Sequence, residues 1–141
     1  MSGELVEKLM HRARVFLREA RRLLEEGEYD LSCFSAEQAA QLYVKAVILK
    51  LFGEVPRIHG VRELLGYLVR KLVEHGYEWA SSSISDFVKE NRAILSVLED
   101  AYVDARYGAT SFSKEEAERA IGVVAKLMEV LEKVVSDVWM G

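Results

Sequence analysis

The stretch Tyr29-Asp30-Leu31-Ser32-Cys33-Phe34-Ser35-Ala36-Glu37-Gln38-Ala39-Ala40-Gln41-Leu42-Tyr43-Val44-Lys45-Ala46-Val47-Ile48-Leu49-Lys50-Leu51 decides the fold. From Asp30 onward it carries no proline, no glycine and no alternation of apolar and polar residues, so it reads as one long helix over 30–51. Phe34, Ala39, Leu42, Val44, Ala46, Val47, Ile48 and Leu49 point in nearly every direction around its axis. A helix without a wide polar face has to be covered on several sides, and this one belongs at the centre of a helical assembly. Three polar residues interrupt it: Gln38, Gln41 and Lys45, at i, i+3 and i+7, on one face. A buried amide or ammonium is costly without partners, so that face looks either into a polar groove or into water at the edge of the bundle.

Working outward, a helix is predicted over 4–26, with Leu5, Leu9, Ala13, Phe16, Leu17, Ala20, Leu23 and Leu24 forming its inward stripe and Gly27 its C-cap. Gly53 ends the central helix, and Val55-Pro56 keeps the chain extended. A third helix is predicted over 60–74, buried through Leu64, Leu65, Leu68 and Leu72. Residues 76–83 read as a loop whose Ser81-Ser82-Ser83 offers N-caps to a fourth helix over 85–105. Gly108-Ala109-Thr110 breaks that helix. Ser113-Lys114-Glu115-Glu116 is a capping box that opens a last helix running to about residue 138. The expectation is an all-α, up-and-down bundle of about five antiparallel helices, forming one domain over residues 1–141.

Composition narrows the function classes. The chain has 141 residues, half of them hydrophobic and 30% charged. Such a balance suits a globular domain with a sizeable core and excludes a disordered or collagen-like chain. No apolar run in the chain is long enough to span a membrane, which takes roughly 18 residues or more. The first nine residues lack a signal pattern, so a cytoplasmic protein without membrane association is expected. Cys33 is the only cysteine, which rules out an internal disulfide and a cysteine-based zinc site. The three histidines are too scattered for a recognisable metal site, and neither a metal nor a cofactor is expected. One asparagine, two glutamines and one threonine stand against eighteen glutamates and eleven arginines, a composition that suits a thermophile.

The net charge of −4 hides a local excess of the opposite sign. Lys8, Arg12, Arg14, Arg18, Arg21 and Arg22 share the outer half of the first helix with one acid, Glu19, giving +5 over residues 8–22. This is either a solvated face paired to acids elsewhere or a contact surface for phosphate or RNA. Trp79 and Trp139 read as packing or interface residues, and His11 as exposed.

The central helix resembles the second helix of the HEPN family, named for nucleotide-binding proteins of higher eukaryotes and prokaryotes. The resemblance rests on its aromatic-rich start, on Gln38-Ala39-Ala40, and on Lys45-Ala46 seven residues further on. His59 stands where the family often has a Thr-His pair, and Arg106-Tyr107 is similar to the Arg-Tyr-Pro that closes the family's fourth helix. A stand-alone archaeal or bacterial member is implied: a helical bundle, commonly a homodimer, often produced beside a small nucleotidyltransferase. Many branches are RNA-cleaving toxins or nucleotide-binding partners in toxin–antitoxin, stress or defence systems. Nuclease branches use an arginine and a histidine separated by four to six residues, the first stabilising phosphorane charge and the second moving a proton.

That motif is missing here, because no histidine follows Arg106. An Arg-x4-His does occur at Arg70 and His75, at the end of the third helix rather than the fourth. The family's glutamate after Ala-Ala is Gln41, and its proline after Arg-Tyr is Gly108. No catalytic residue is therefore assigned. The expected function is a non-catalytic nucleotide- or RNA-associated module acting with a nucleotidyltransferase. Lys45 and Arg106 would hold phosphate charge, Gln38 and His59 would orient sugar or base, Tyr107 would lie beside them, and Arg12, Arg14, Arg18, Arg21 and Arg22 would form a basic surface. The alternatives are a metal-independent ribonuclease acting as a dimer, with a displaced histidine such as His59, and a structural protein-interaction bundle. His59 could equally be a neutral cap on the third helix.

Overall fold

The computed structural model of the protein describes residues 2–104 and 107–140. Six helices follow one another: α1 (Ser2–Glu25), α2 (Tyr29–Phe52), α3 (Val61–Glu74), α4 (Glu78–Glu90), α5 (Arg92–Asp104) and α6 (Lys114–Met140). There is no strand among the described residues. The bundle is all-α, as expected.

α2 is the hub, packing against α1, α3, α5 and α6. Ala36, Ala39, Ala40, Val44, Ala46, Val47 and Ile48 are fully buried, which is how an all-round apolar helix hides its surface. The run of alanines lets α1 come close. Ser32 Oγ donates to the Ala20 carbonyl at 2.7 Å and Ser35 Oγ to the Phe16 carbonyl at 2.8 Å, so the two helices run antiparallel and are tied through their backbones. Gly27 turns the chain between them with φ of 78°. That conformation is costly for a residue bearing a side chain. The Gly27 and Glu28 N–H groups then cap the carbonyls of Leu24 and Leu23, closing a Schellman motif.

On α1 the buried stripe is Val6, Met10, Ala13, Leu17 and Ala20. Leu5, expected inside, is 43% exposed. α3 buries Leu64, Leu65, Leu68 and Leu72 completely, as its spacing predicts. At the start of α6, the Ser113 N–H donates to Glu116 Oε1 at 2.9 Å and the Glu116 N–H to Ser113 Oγ at 3.0 Å. These reciprocal bonds are the capping box read from the sequence.

Between residues 76 and 105 the structure departs from the expected pattern. The chain leaves α3 through Gly76, at φ of 82°, and enters α4 at Glu78, so most of the expected loop is helical. The serines do not cap this helix. Ser81 Oγ and Ser83 Oγ instead donate back to the carbonyls of Glu78 and Ala80, one turn earlier, an alternative that serine takes inside helices. The single helix expected over 85–105 is divided at Asn91. The Asn91 backbone N–H donates to the Phe87 carbonyl at 3.1 Å. Asn91 Nδ2 donates to the same carbonyl at 2.8 Å. This local competition ends α4 and restarts the helix as α5. The count is therefore six rather than about five.

Candidate functional site

The polar face of α2 is organised around a residue that the interrupted apolar pattern did not single out. Glu37, Gln41 and Lys45 recur at i, i+4 and i+8, and Glu37 has 0% of its surface exposed. Its carboxylate accepts hydrogen bonds from Gln38 Nε2 at 2.8 Å and from Gln41 Nε2. Burial pushes the Glu37 carboxyl up to about 7, against the two amide bonds and the attraction of Lys45, which favour the charged form. Lys45, half-buried, is drawn below the usual lysine range by its own burial, partly offset by Glu37. Its Nζ stands 3.5 Å from His59 Nδ1.

His59 lies in the extended segment after Pro56, just before α3. It does not cap that helix: the N-cap is Gly60, without a side-chain hydrogen bond. The His59 ring instead lies nearly parallel to that of Tyr102 on α5, with centroids 6.4 Å apart and planes 26° apart. Arg62, in the first turn of α3, crosses to Glu99 on α5. Its Nε lies 3.0 Å from Glu99 Oε2, its Nη2 bonds Oε1, and its backbone N–H reaches Oε2 at 3.2 Å. A two-pronged guanidinium–carboxylate pair with a backbone bond fixes geometry as well as charge. Burial works to raise the Glu99 carboxyl, but the bonds from Arg62 outweigh it and hold the group below its ordinary value.

Between these groups opens a cleft of about 450 Å³, lined by Glu37, His59, Gly60, Arg62, Glu99 and Tyr102 among others. Small-molecule sites run from roughly 300 to about 1,000 Å³, so the cleft is of ligand-binding size. A hidden carboxyl at the floor, two near-parallel rings, a lysine beside the histidine and a fixed arginine give it proton-transfer, stacking and charge-binding groups together.

The structure thus brings together two of the residues singled out in the sequence. Lys45 and His59 touch at the cleft, whereas the Gln38 Nε2 is committed to Glu37 rather than offered to a ligand. Tyr107 is exposed in the turn after α5, where its N–H bonds the Asp104 carbonyl at 3.0 Å. Arg106 lies outside the described residues. Arg12, Arg14, Arg18 and Arg21 are exposed and in no ion pair among the described residues, while Arg22 is held between Glu19 and Glu26 of its own helix. Among the described residues the basic face is thus paired only at its C-terminal end, by acids of its own helix. His11 is exposed, as expected. The Arg70/His75 pair is engaged structurally: Arg70 stacks over Tyr67, His75 Nδ1 lies 2.9 Å from the Lys71 carbonyl, and the His75 ring packs on Phe52. Both tryptophans are largely exposed, with Lys50 lying over the Trp139 ring at 5.6 Å.

Sequence reasoning missed Glu37, Arg62, Glu99 and Tyr102 as site residues. The i, i+4, i+8 recurrence of Glu37, Gln41 and Lys45 was a usable signal, because a carboxylate on a helix otherwise buried all round needs donors. The Arg62–Glu99 pair joins residues far apart in the chain, and nothing local announces it.

The all-α bundle thus surrounds a buried hub helix and holds a polar cleft where the hub meets α3 and α5. The HEPN domain family model matches residues 6–134, nearly the whole chain. The protein belongs to the HEPN domain family. No curated protein matches it. No helix among the described residues is long and apolar enough to cross a membrane.

Proposed function

We propose that the chain is a nucleotide- or RNA-associated module without catalysis of its own, acting as a homodimer beside a small nucleotidyltransferase in a cytoplasmic toxin–antitoxin or stress-defence system. The observation that carries this reading is the pairing of His59 and Tyr102 in one cleft, with the Lys45 Nζ 3.5 Å from the His59 ring nitrogen. The Lys45 ammonium is half-buried and in no ion pair with a carboxylate among the described residues, so it is available to an anionic group. Partial burial strengthens such a contact relative to one in open water. The His59 and Tyr102 rings offer flat faces to a base. Such stacking is worth about 1–3 kcal/mol per base. Arg106 follows Tyr102 by four residues in the sequence and is assigned to the phosphate with Lys45. The absence of a histidine after Arg106 supports a binding rather than a cleaving role.

A second reading, a metal-independent ribonuclease, is favoured by one observation. His59 lies beside Lys45 in a cleft that also holds a carboxyl raised to about 7, the equipment of proton transfer. Titration with ATP and with a short single-stranded RNA at two salt concentrations, with the same samples followed for cleavage, separates the readings. Salt-sensitive binding without cleavage, weakened at least tenfold by Lys45→Ala with Arg106→Ala, is the expected result. Metal-independent cleavage that disappears in His59→Ala would replace the binding module with the nuclease. No binding at low salt would overturn both and leave a protein-interaction bundle.

A further inference from the structure

We propose that the groove between α3 and the α4–α5 elbow is a second nucleotide subsite, which receives the neighbouring nucleotide of a single-stranded RNA seated in the cleft. The inference rests on the nucleotide reading of the cleft given above and names its ligand as an oligonucleotide rather than a mononucleotide.

The groove has a volume of about 270 Å³. Independent small-molecule sites begin at roughly 300 Å³, so the groove suits an extension of the cleft better than a site of its own. Arg62 lines both the groove and the cleft, which makes them neighbours across one side chain. Because Glu99 already holds the Arg62 guanidinium, that side chain is a fixed divider between the two.

The two recesses differ in character. Glu37, Glu63 and Glu99 line the cleft, whereas no carboxylate lines the groove. Leu65, Val69 and Val88 supply an apolar floor, kept flat at Gly66, where an added Cβ would meet nothing nearer than Arg70 Nη1 at 3.8 Å. Lys89, at the end of α4, and Arg92, at the start of α5, form the rim. Both are exposed, and neither is in an ion pair among the described residues. An apolar floor with a cationic rim suits the face of a base or ribose with its phosphate at the edge. Continuity with the cleft favours a nucleic acid strand over an acidic peptide, which would have no use for the stacked rings next door.

The test compares wild type with Lys89→Ala/Arg92→Ala by fluorescence anisotropy of a six-nucleotide single-stranded RNA and by calorimetric titration of ATP. Both side chains are exposed, and a thermal melt of the variant checks that the bundle stays folded. The expected result is RNA binding about tenfold weaker at low salt. The log–log salt slope should shrink by about 1.4, at ~0.7 for each lost phosphate contact, with ATP binding unchanged. Unchanged RNA affinity and slope would overturn the subsite while leaving the cleft reading intact. Equal weakening of ATP would also overturn it, by showing one undivided site. Displacement of the RNA from the groove by a hexaglutamate peptide at comparable concentration would reassign it to an acidic protein. Failure of wild type to bind either ligand would overturn the cleft reading, and the subsite with it.

Discussion

Replacing Glu37 by glutamine removes a carboxylate whose ionisation the fold resists, and the cost of that ionisation is measurable as pH-dependent stability. The carboxyl moves from 4.5 to about 7 on folding, chiefly through burial. At about 1.4 kcal/mol per decade this is a linkage of about 3 kcal/mol. The folded chain holds the proton more tightly than the unfolded chain between those two values. The stabilisation is therefore complete below pH 4.5 and is lost as pH rises through 7. Glutamine has nearly the same shape, and the amide of either Gln38 or Gln41 can rotate to present its oxygen to the new NH2 while the other still donates to the new carbonyl. Urea denaturation of both proteins at pH 5 and pH 8 isolates the effect, since groups away from Glu37 titrate alike in the two. Wild type should lose about 2.5 kcal/mol more than Glu37→Gln between those conditions. Parallel pH profiles would refute the reasoning and mean that the Glu37 site is wetter, or better supplied with donors, than its buried geometry implies.

Leu98 is fully buried on α5. Cutting it to alanine should cost about 2–5 kcal/mol of stability, read by chemical denaturation; a loss under about 1 kcal/mol would mean a loosely packed core. Arg62→Lys should fail to restore the two-pronged bond to Glu99, a pair that is partly exposed. The loss should be about 1 kcal/mol or less for that reason. The same change should raise the Glu99 carboxyl pKa in an NMR titration, and an unmoved value would show that Arg62 does not hold it down. Ser113→Ala should destabilise by about 1 kcal/mol through loss of the α6 cap, and a thermal melt indistinguishable from wild type would argue against the capping box.

The parts of the molecule that were legible in the sequence are those fixed by local pattern. The all-round apolar character of residues 30–51 put α2 at the centre, Gly27 and the 113–116 capping box set two boundaries, and the leucine spacing of α3 gave its buried face. The division at Asn91 was not legible, because a single asparagine in a periodic stretch says nothing until its side chain is seen on the Phe87 carbonyl. Ser81 to Ser83 misled for the opposite reason: serine suits an N-cap, yet here all three bond back within the helix. The site divides in the same way. Lys45 and His59 could be picked out as polar residues in apolar or helix-start contexts. The Arg62–Glu99 tie and the pairing of His59 with Tyr102 depend on how α3 and α5 meet, which no spacing along the chain encodes.

Backbone amide NMR of the protein titrated with AMP at low salt tests the central claim most directly, because it locates the ligand rather than merely detecting it. The expected result is a set of shift changes concentrated at Glu37–Lys45, His59–Arg62 and Glu99–Val103, the segments that meet at the cleft. Changes confined to the Arg12–Arg22 face of α1, or none at all, would contradict it.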